Sequence, residues 1–377
     1  VLGIVLPEIG VDKASLDLTS IVAKLRTDAG TTVENKIEVD VRANNRWSSE
    51  EIKGQENPSR VYTLRCNKPE MAVSVQPGNI WTKEFTIDEL TVTTGDPEVI
   101  KSKLKYQYKE KSGGDDTWKD IQDMKVLFNE HPQNRSYQVR AVYRDVVMTD
   151  AIDVELENPV QLPNSGMEEW HEEDQSDHKN LWFPFSQDLS LQWITNNLET
   201  TNYRGESFCS ASAVKRSENK YNGNYAALIR TIGHGVANTN VGSFLGMNGS
   251  ITGTHTIGIL SYSGDFQVRP TKVKFYYRYI PEGDDVGVIE LKIEKEDQDQ
   301  DVILYEATNV VSKTEYQLYE IPINYMVENV VATKLTLTLK SGSKHTNVVK
   351  AKVRGNGADE HYGSELYIDD ISLVYDK

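Results

Sequence analysis

Three stretches near the C-terminus alternate apolar and polar residues without a break. Val273, Phe275, Tyr277 and Tyr279 alternate with Lys272, Lys274, Tyr276 and Arg278. Ile289, Leu291 and Ile293 alternate with Glu290, Lys292 and Glu294, and Leu335, Leu337 and Leu339 with Lys334, Thr336, Thr338 and Lys340. Successive side chains of a strand point to opposite faces, so each stretch carries one apolar and one polar face. Antiparallel sheets packed face to face have this pattern. The expectation is an all-β chain ending in a jelly-roll β-sandwich.

Shorter alternating runs lie upstream. Leu104, Tyr106 and Tyr108 form one, Tyr137, Val139, Ala141 and Tyr143 another, and Ser112-Gly113-Gly114-Asp115-Asp116 is a turn. Short strands separated by turn clusters predict a second antiparallel sandwich over 67–158 that looks like an immunoglobulin or fibronectin type III spacer. Trp81 and Trp118 are its expected core anchors, and no constellation in it suggests chemistry. Residues 1–66 read as a small β-rich module. Ile37, Val39 and Val41 alternate there, Arg60 to Cys66 is a second strand, and Leu18, Ile21, Val22 and Leu25 have helical spacing. Pro159 and Pro163 mark a semi-rigid linker from Glu155. The expected domains are 1–66, 67–158 and 159–377.

The net charge is −16, with basic residues scattered among acids. That argues against nucleic acid, which is held by clustered Lys and Arg. Cys66 and Cys209 are far apart and imply no disulfide framework; each reads as a small buried hydrophobe. No run approaches the ~18 apolar residues of a spanning helix. Residue 1 is Val and no leader follows, so a targeting segment is expected to have been removed.

The last strand, Ser364 to Tyr375, holds two adjacent acids, Asp369 and Asp370. Strict alternation points one of them the same way as Leu366 and Ile368, and an inward carboxylate without a partner costs several kcal/mol. Asn164-Ser165-Gly166-Met167-Glu168-Glu169-Trp170 brings further acids at the start of the domain. Carboxylates converging from the first and last strands suit a hard cation such as Ca²⁺. The alternative is a pair of acids at a strand edge, in water or bonded to an Arg.

Gly166-Met167-Glu168 with Trp170, then Tyr221-Asn222-Gly223-Asn224-Tyr225-Ala226-Ala227-Leu228, then Leu366-Tyr367-Ile368-Asp369-Asp370-Ile371-Ser372-Leu373, resembles jelly-roll carbohydrate-binding modules. Met167 stands where those modules carry an aromatic residue. Gly264-Asp265-Phe266-Gln267-Val268-Arg269-Pro270, followed by Phe275 to Pro281 and by Gly363 to Asp370, resembles the carbohydrate metabolism domain family of Bacteroides-type surface proteins. The resemblance implies a secreted or surface-exposed cell-envelope protein, a lipoprotein whose lipid anchor lies outside these residues, that handles glycans. It also implies a structural Ca²⁺ held by Glu168 with Asp369 and Asp370, helped by carbonyls near Tyr221 to Asn224.

Sugars offer an apolar ring face to aromatics and hydroxyls to planar polar groups. The stretch 181–206 holds Trp182, Phe183, Phe185, Trp193, Asn196, Asn197, Tyr203 and Arg204, and Tyr276 and Arg278 share the polar face of their strand. Trp182, Trp193, Tyr203, Arg204, Tyr276 and Arg278 are the expected ligand contacts, set against core packing for each aromatic. Arg269 reads as a buried Arg bridging a carboxylate to a turn. No spacing selects a catalytic carboxylate pair, the histidines form no metal doublet, and His234 reads as a loop residue. The expected function is non-catalytic binding of a poly- or oligosaccharide. A glycoside hydrolase and a structural or adhesive surface protein are the alternatives.

Overall fold

The structure, a computed structural model, describes residues 32–39, 60–67, 70–94, 97–143, 147–175, 177–186, 193–201, 208–238, 250–327, 330–343, 350–352 and 360–377. The chain divides into two compact units, Val1–Leu156 and Glu157–Lys377. The helix expected around Leu18 to Leu25 lies outside the described residues. Among them, no helix is long and apolar enough to cross a membrane.

In the first unit Thr32–Val39 and Arg60–Asn67 pair antiparallel. Ser136–Tyr143 then pairs with Leu104–Glu110, Val147–Met148 and Ile152–Glu155, and Leu104–Glu110 with Lys119–Ile121. The core collects Phe85, Ile100, Tyr137, Val139, Ala141 and Leu156. The two expected tryptophan anchors are not in it. Trp118 is half-buried between the Lys109 ammonium and the Arg140 guanidinium, 5.1 and 4.1 Å from its ring, and Trp81 is also half-buried. Phe85, with no exposure, and Tyr137, at 3%, fill the centre instead.

The second unit is a β-sandwich of two antiparallel sheets. One runs in the order Trp193–Thr195, Ile259–Asp265, Lys334–Lys340, Gly287–Lys295, Val302–Val311. The other follows Phe208–Cys209, Ala226–Asn238, Glu360–Val374, Lys272–Ile280, Gln317–Pro322, with Val214–Ser217 and Ser250–Thr256 on Ala226–Asn238 and Lys350–Lys352 on Glu360–Val374. The alternation works as expected. Val273, Phe275, Tyr279, Ile289, Leu291, Ile293, Leu335, Leu337 and Leu339 are fully buried and meet in one core. His234, expected in a loop, lies within Ala226–Asn238 and contacts the Thr256 hydroxyl at 2.9 Å.

The expected linker belongs to the second unit from Glu157 onward. Gln161 exchanges two hydrogen bonds with the Leu373 backbone, 2.7 and 2.8 Å, and the Tyr375 hydroxyl donates to the Val160 carbonyl. Leu162 enters the core at 4% exposure. These contacts tie the Val160 carbonyl and the Gln161 side chain to the last strand and its end.

Candidate functional site

The last strand does not keep strict alternation. Lys272–Ile280 pairs with it as Lys274↔Ser372 and then Tyr276↔Asp369, so three residues on one strand span two on the other. This is a β-bulge, and Asp370 takes its left-handed conformation at φ 47°. The bulge resets the parity. Leu366 and Ile368 face the core before it, and Ile371 and Leu373 face the core after it. Neither acid points inward, contrary to the sequence expectation. Asp369 lies on the outer face opposite Tyr276, and Asp370 is half-buried at the surface.

Asp369 is nevertheless fully buried, because a turn covers it. Its Oδ2 accepts the backbone N–H groups of Tyr221 (2.8 Å) and Asn222 (3.0 Å), and its Oδ1 that of Asp370 (2.8 Å). Burial pushes the Asp369 carboxyl above its ordinary value, and the three N–H donors oppose that rise. Asn222 Nδ2 reaches Asp370 Oδ2 at 3.1 Å. On the other side of the turn, both Glu168 oxygens accept the Asn224 N–H, at 2.8 and 3.0 Å. Gly223, at φ +63°, is required here: a Cβ would fall 1.8 Å from Glu168 Oε1.

These contacts decide how the carboxylates fit Ca²⁺. A Ca²⁺ shell takes six to eight oxygens turned toward one point. Here Glu168 and Asp369 are turned toward backbone N–H groups of the 221–225 turn. Among the described residues no three His, Cys, Asp or Glu side chains are grouped to hold a metal. As arranged, Glu168, Asp369 and Asp370 fit a set of N–H donors and do not fit a Ca²⁺ shell. EDTA is therefore expected to leave the thermal melt of the protein unchanged. A melting temperature that rises with added Ca²⁺ and falls back with EDTA would restore the metal, since a native-state ligand stabilises by mass action.

The clamped turn presents Tyr221 on the outer face of the sheet, 49% exposed. Its ring lies parallel to that of Tyr276, centroids 3.5 Å apart at 9°. Tyr316 flanks it at 6.2 Å, with its hydroxyl spent on the Asn219 carbonyl. The neighbouring Tyr276 phenol, with desolvation and the charge of Asp370 adding, raises the Tyr221 phenol above its ordinary value. Leu318, 44% exposed, sits across the strand pair from Tyr276. One step along, the Arg278 guanidinium lies 5.7 Å from the Tyr367 ring and donates through Nε to the Thr314 carbonyl. The result is an aromatic surface with an adjacent planar cation and carboxamide.

The expected contact residues divide. Tyr276 and Arg278 share this surface. Trp193 does not: it is 1% exposed, packs in the core, and donates its indole N–H to the Pro163 carbonyl at 2.7 Å. Trp182 is half-buried beneath the exposed Arg216, whose guanidinium lies 5.0 Å from its ring and 4.6 Å from that of Tyr225. Asn196 and Asn197 are structural, since their carboxamides bond the backbone at Ile257, Ile259, Trp182 and Val214. Tyr203 and Arg204 lie outside the described residues. Sequence reasoning missed Tyr221 and Tyr316. The stretch Tyr221 to Asn224 was singled out only for its backbone carbonyls, and nothing in it announced the ring it carries onto Tyr276.

No family model matches the chain, and no curated protein matches it. Among solved structures it is similar to carbohydrate-binding modules of the β-sandwich superfamily described as having promiscuous specificity. The identity is 10%, with 82% of this chain and 98% of that chain covered and a TM-score of 0.27. It is similar to the family 11 carbohydrate-binding module from Clostridium thermocellum in complex with a β-1,3-1,4-mixed-linked tetrasaccharide, at 11% identity, 50% and 92% coverage and TM-score 0.26. A CBM4 structure matches at 12% identity, 57% and 99% coverage and TM-score 0.26. Superpositions this loose decide nothing about this chain. The Bacteroides-type family named by the sequence motifs is not shown by these comparisons.

Proposed function

We propose that the second unit binds a glycan, without catalysis, on the outer face of the sheet that carries Tyr221, Tyr276 and Arg278. The observation that carries this reading is the exposed, clamped Tyr221 ring stacked on Tyr276. A phenol held flat at a surface offers its free face to the C–H face of a sugar at little entropic cost. Arg278 and the Asn222 carboxamide supply planar donors beside it for ring hydroxyls. The acids of the region accept backbone N–H groups and serve the framework. At the cell envelope, where the reading places the protein, polymeric glycans are within reach. Surface labelling of whole cells tests that placement.

Affinity electrophoresis of the full chain in gels containing β-glucan, xylan, galactan or mannan tests the binding itself. At least one polymer is expected to retard the protein, and Tyr221→Ala to weaken that retention by about 2 kcal/mol, or about thirtyfold, as for an aromatic hot spot. The substitution keeps the backbone N–H that Asp369 needs, so the melt should barely move. Retention by no polymer, or equal retention of Tyr221→Ala, sinks the proposal. Shortening of the polymer in the same gels would put a hydrolase first.

A further inference from the structure

We propose that the first unit carries a ligand site of its own, a pocket beside the strands Leu104–Glu110 and Lys119–Ile121 that takes a neutral saccharide ring. A cavity of about 340 Å³ opens there, lined by Tyr108, Phe128 and Tyr137 together with Glu110, Thr117 and Lys119. That volume lies at the small end of ligand pockets and suits one or two rings.

The strand register builds it. Tyr108 is paired with Lys119, and Glu110 with Tyr137, so aromatic rings and charged side chains face one space from neighbouring strands. The three rings form a continuous wall. Phe128 and Tyr137 lie 5.0 Å apart, and Tyr108 lies 6.4 Å from Phe128 and 6.3 Å from Tyr137. Burial, with the Glu110 charge adding, pushes the Tyr137 phenol up to about 12. Lys119 and Glu110 are exposed at the rim, with the ammonium 6.0 Å from the Tyr108 ring. Glu110 Oε2 takes a hydrogen bond from Asn134, and Lys109 is tied to the Gly113 carbonyl at 2.8 Å.

The lining selects the class of ligand. An anion meets Glu110, and an organic cation meets Lys119. Tyr108 meets Phe128 edge to face at 83°, and Tyr137 is tilted at 50° to Tyr108 and 35° to Phe128, so the rings pack on one another rather than standing apart as a cage around a cation. A neutral ring with an apolar face stacks on the wall and spends its hydroxyls on the Glu110 carboxylate, the Lys119 ammonium and the Thr117 hydroxyl. A saccharide has that chemistry.

The test uses the full chain carrying Tyr221→Ala, which removes the surface proposed for the second unit. Saturation-transfer NMR is run with the methyl glycosides of glucose, galactose, mannose and xylose, and with tetramethylammonium, acetate and indole. At least one glycoside is expected to receive saturation at its ring protons. Adding Phe128→Ala, or Glu110→Ala with Lys119→Ala, should weaken that binding about tenfold. The double variant alters only exposed side chains, so its fold is expected to survive even where Phe128→Ala does not. The site is overturned if no glycoside is saturated in the Tyr221→Ala chain, if binding persists unchanged in the double variant, or if only a charged or aromatic probe binds. Glycoside binding by the wild type that Tyr221→Ala abolishes overturns this site and leaves the second-unit reading standing.

Discussion

Arg269→Met is expected to destabilise the second unit by about 3–5 kcal/mol, the range for removing one partner of a buried ion pair. The Arg269 and Glu157 side chains are 3% and 7% exposed. Arg269 Nε reaches Glu157 Oε1 at 2.7 Å, and the Arg269 backbone N–H reaches Oε2 at 2.9 Å. Methionine fills much of the arginine's volume, so the loss is mainly that of the counter-charge. Burial already lifts the Glu157 carboxyl above its ordinary value, and Arg269 holds it down. Without Arg269 it rises further. A carboxyl whose folded pKa is raised binds its proton more tightly when folded, so the variant regains stability as the pH falls through that pKa. The gap between wild type and variant is therefore widest at neutral pH and narrows on mild acidification. Urea unfolding at several pH values reads this directly. A gap that stays constant, or one below about 1 kcal/mol, as for an exposed pair, would refute the buried-pair account.

Asp369→Ala is expected to cost about 2–4 kcal/mol and to abolish glycan retention together with it. The carboxylate accepts three backbone N–H groups, and an unsatisfied buried donor costs about 1–3 kcal/mol. The turn it anchors carries Tyr221, so the stack on Tyr276 goes with it. Asp369→Asn keeps the size but turns an NH₂ toward N–H donors, and should recover only part of the loss. Thermal melts and affinity electrophoresis of both variants check the coupling. Full retention by a destabilised Asp369→Ala would show that the clamp does not position the binding surface.

Several elements were legible because their signal is local. The core faces of Lys272–Ile280, Gly287–Lys295 and Lys334–Lys340 follow from alternation, and Arg269 read as a buried Arg bonded to a carboxylate, whose identity as Glu157 only the structure gave. The candidate surface was only half legible. Tyr276 and Arg278 were placed on the polar face of their strand, while Trp193 was given to the ligand although it fills the core. An aromatic residue carries the same signal in either place; only the neighbours that cover it decide. The pocket of the first unit left no motif at all. Tyr108 and Tyr137 read only as members of alternating strands, and only the tertiary structure brings their rings together with that of Phe128.

By itself the sequence determined an all-β chain, the inward faces of its strands and a turn at Ser112 to Asp116. Each of these rests on geometry within a few residues: the period of a strand, and the backbone freedom of glycine. Only the tertiary structure decided where the two acids of the last strand go. The bulge at Asp370 exists because that strand pairs with Lys272–Ile280 in a shifted register, and Asp369 is buried because a turn some 148 positions earlier folds over it. A carboxylate takes whichever donors surround it, and those donors are fixed by pairing between distant strands.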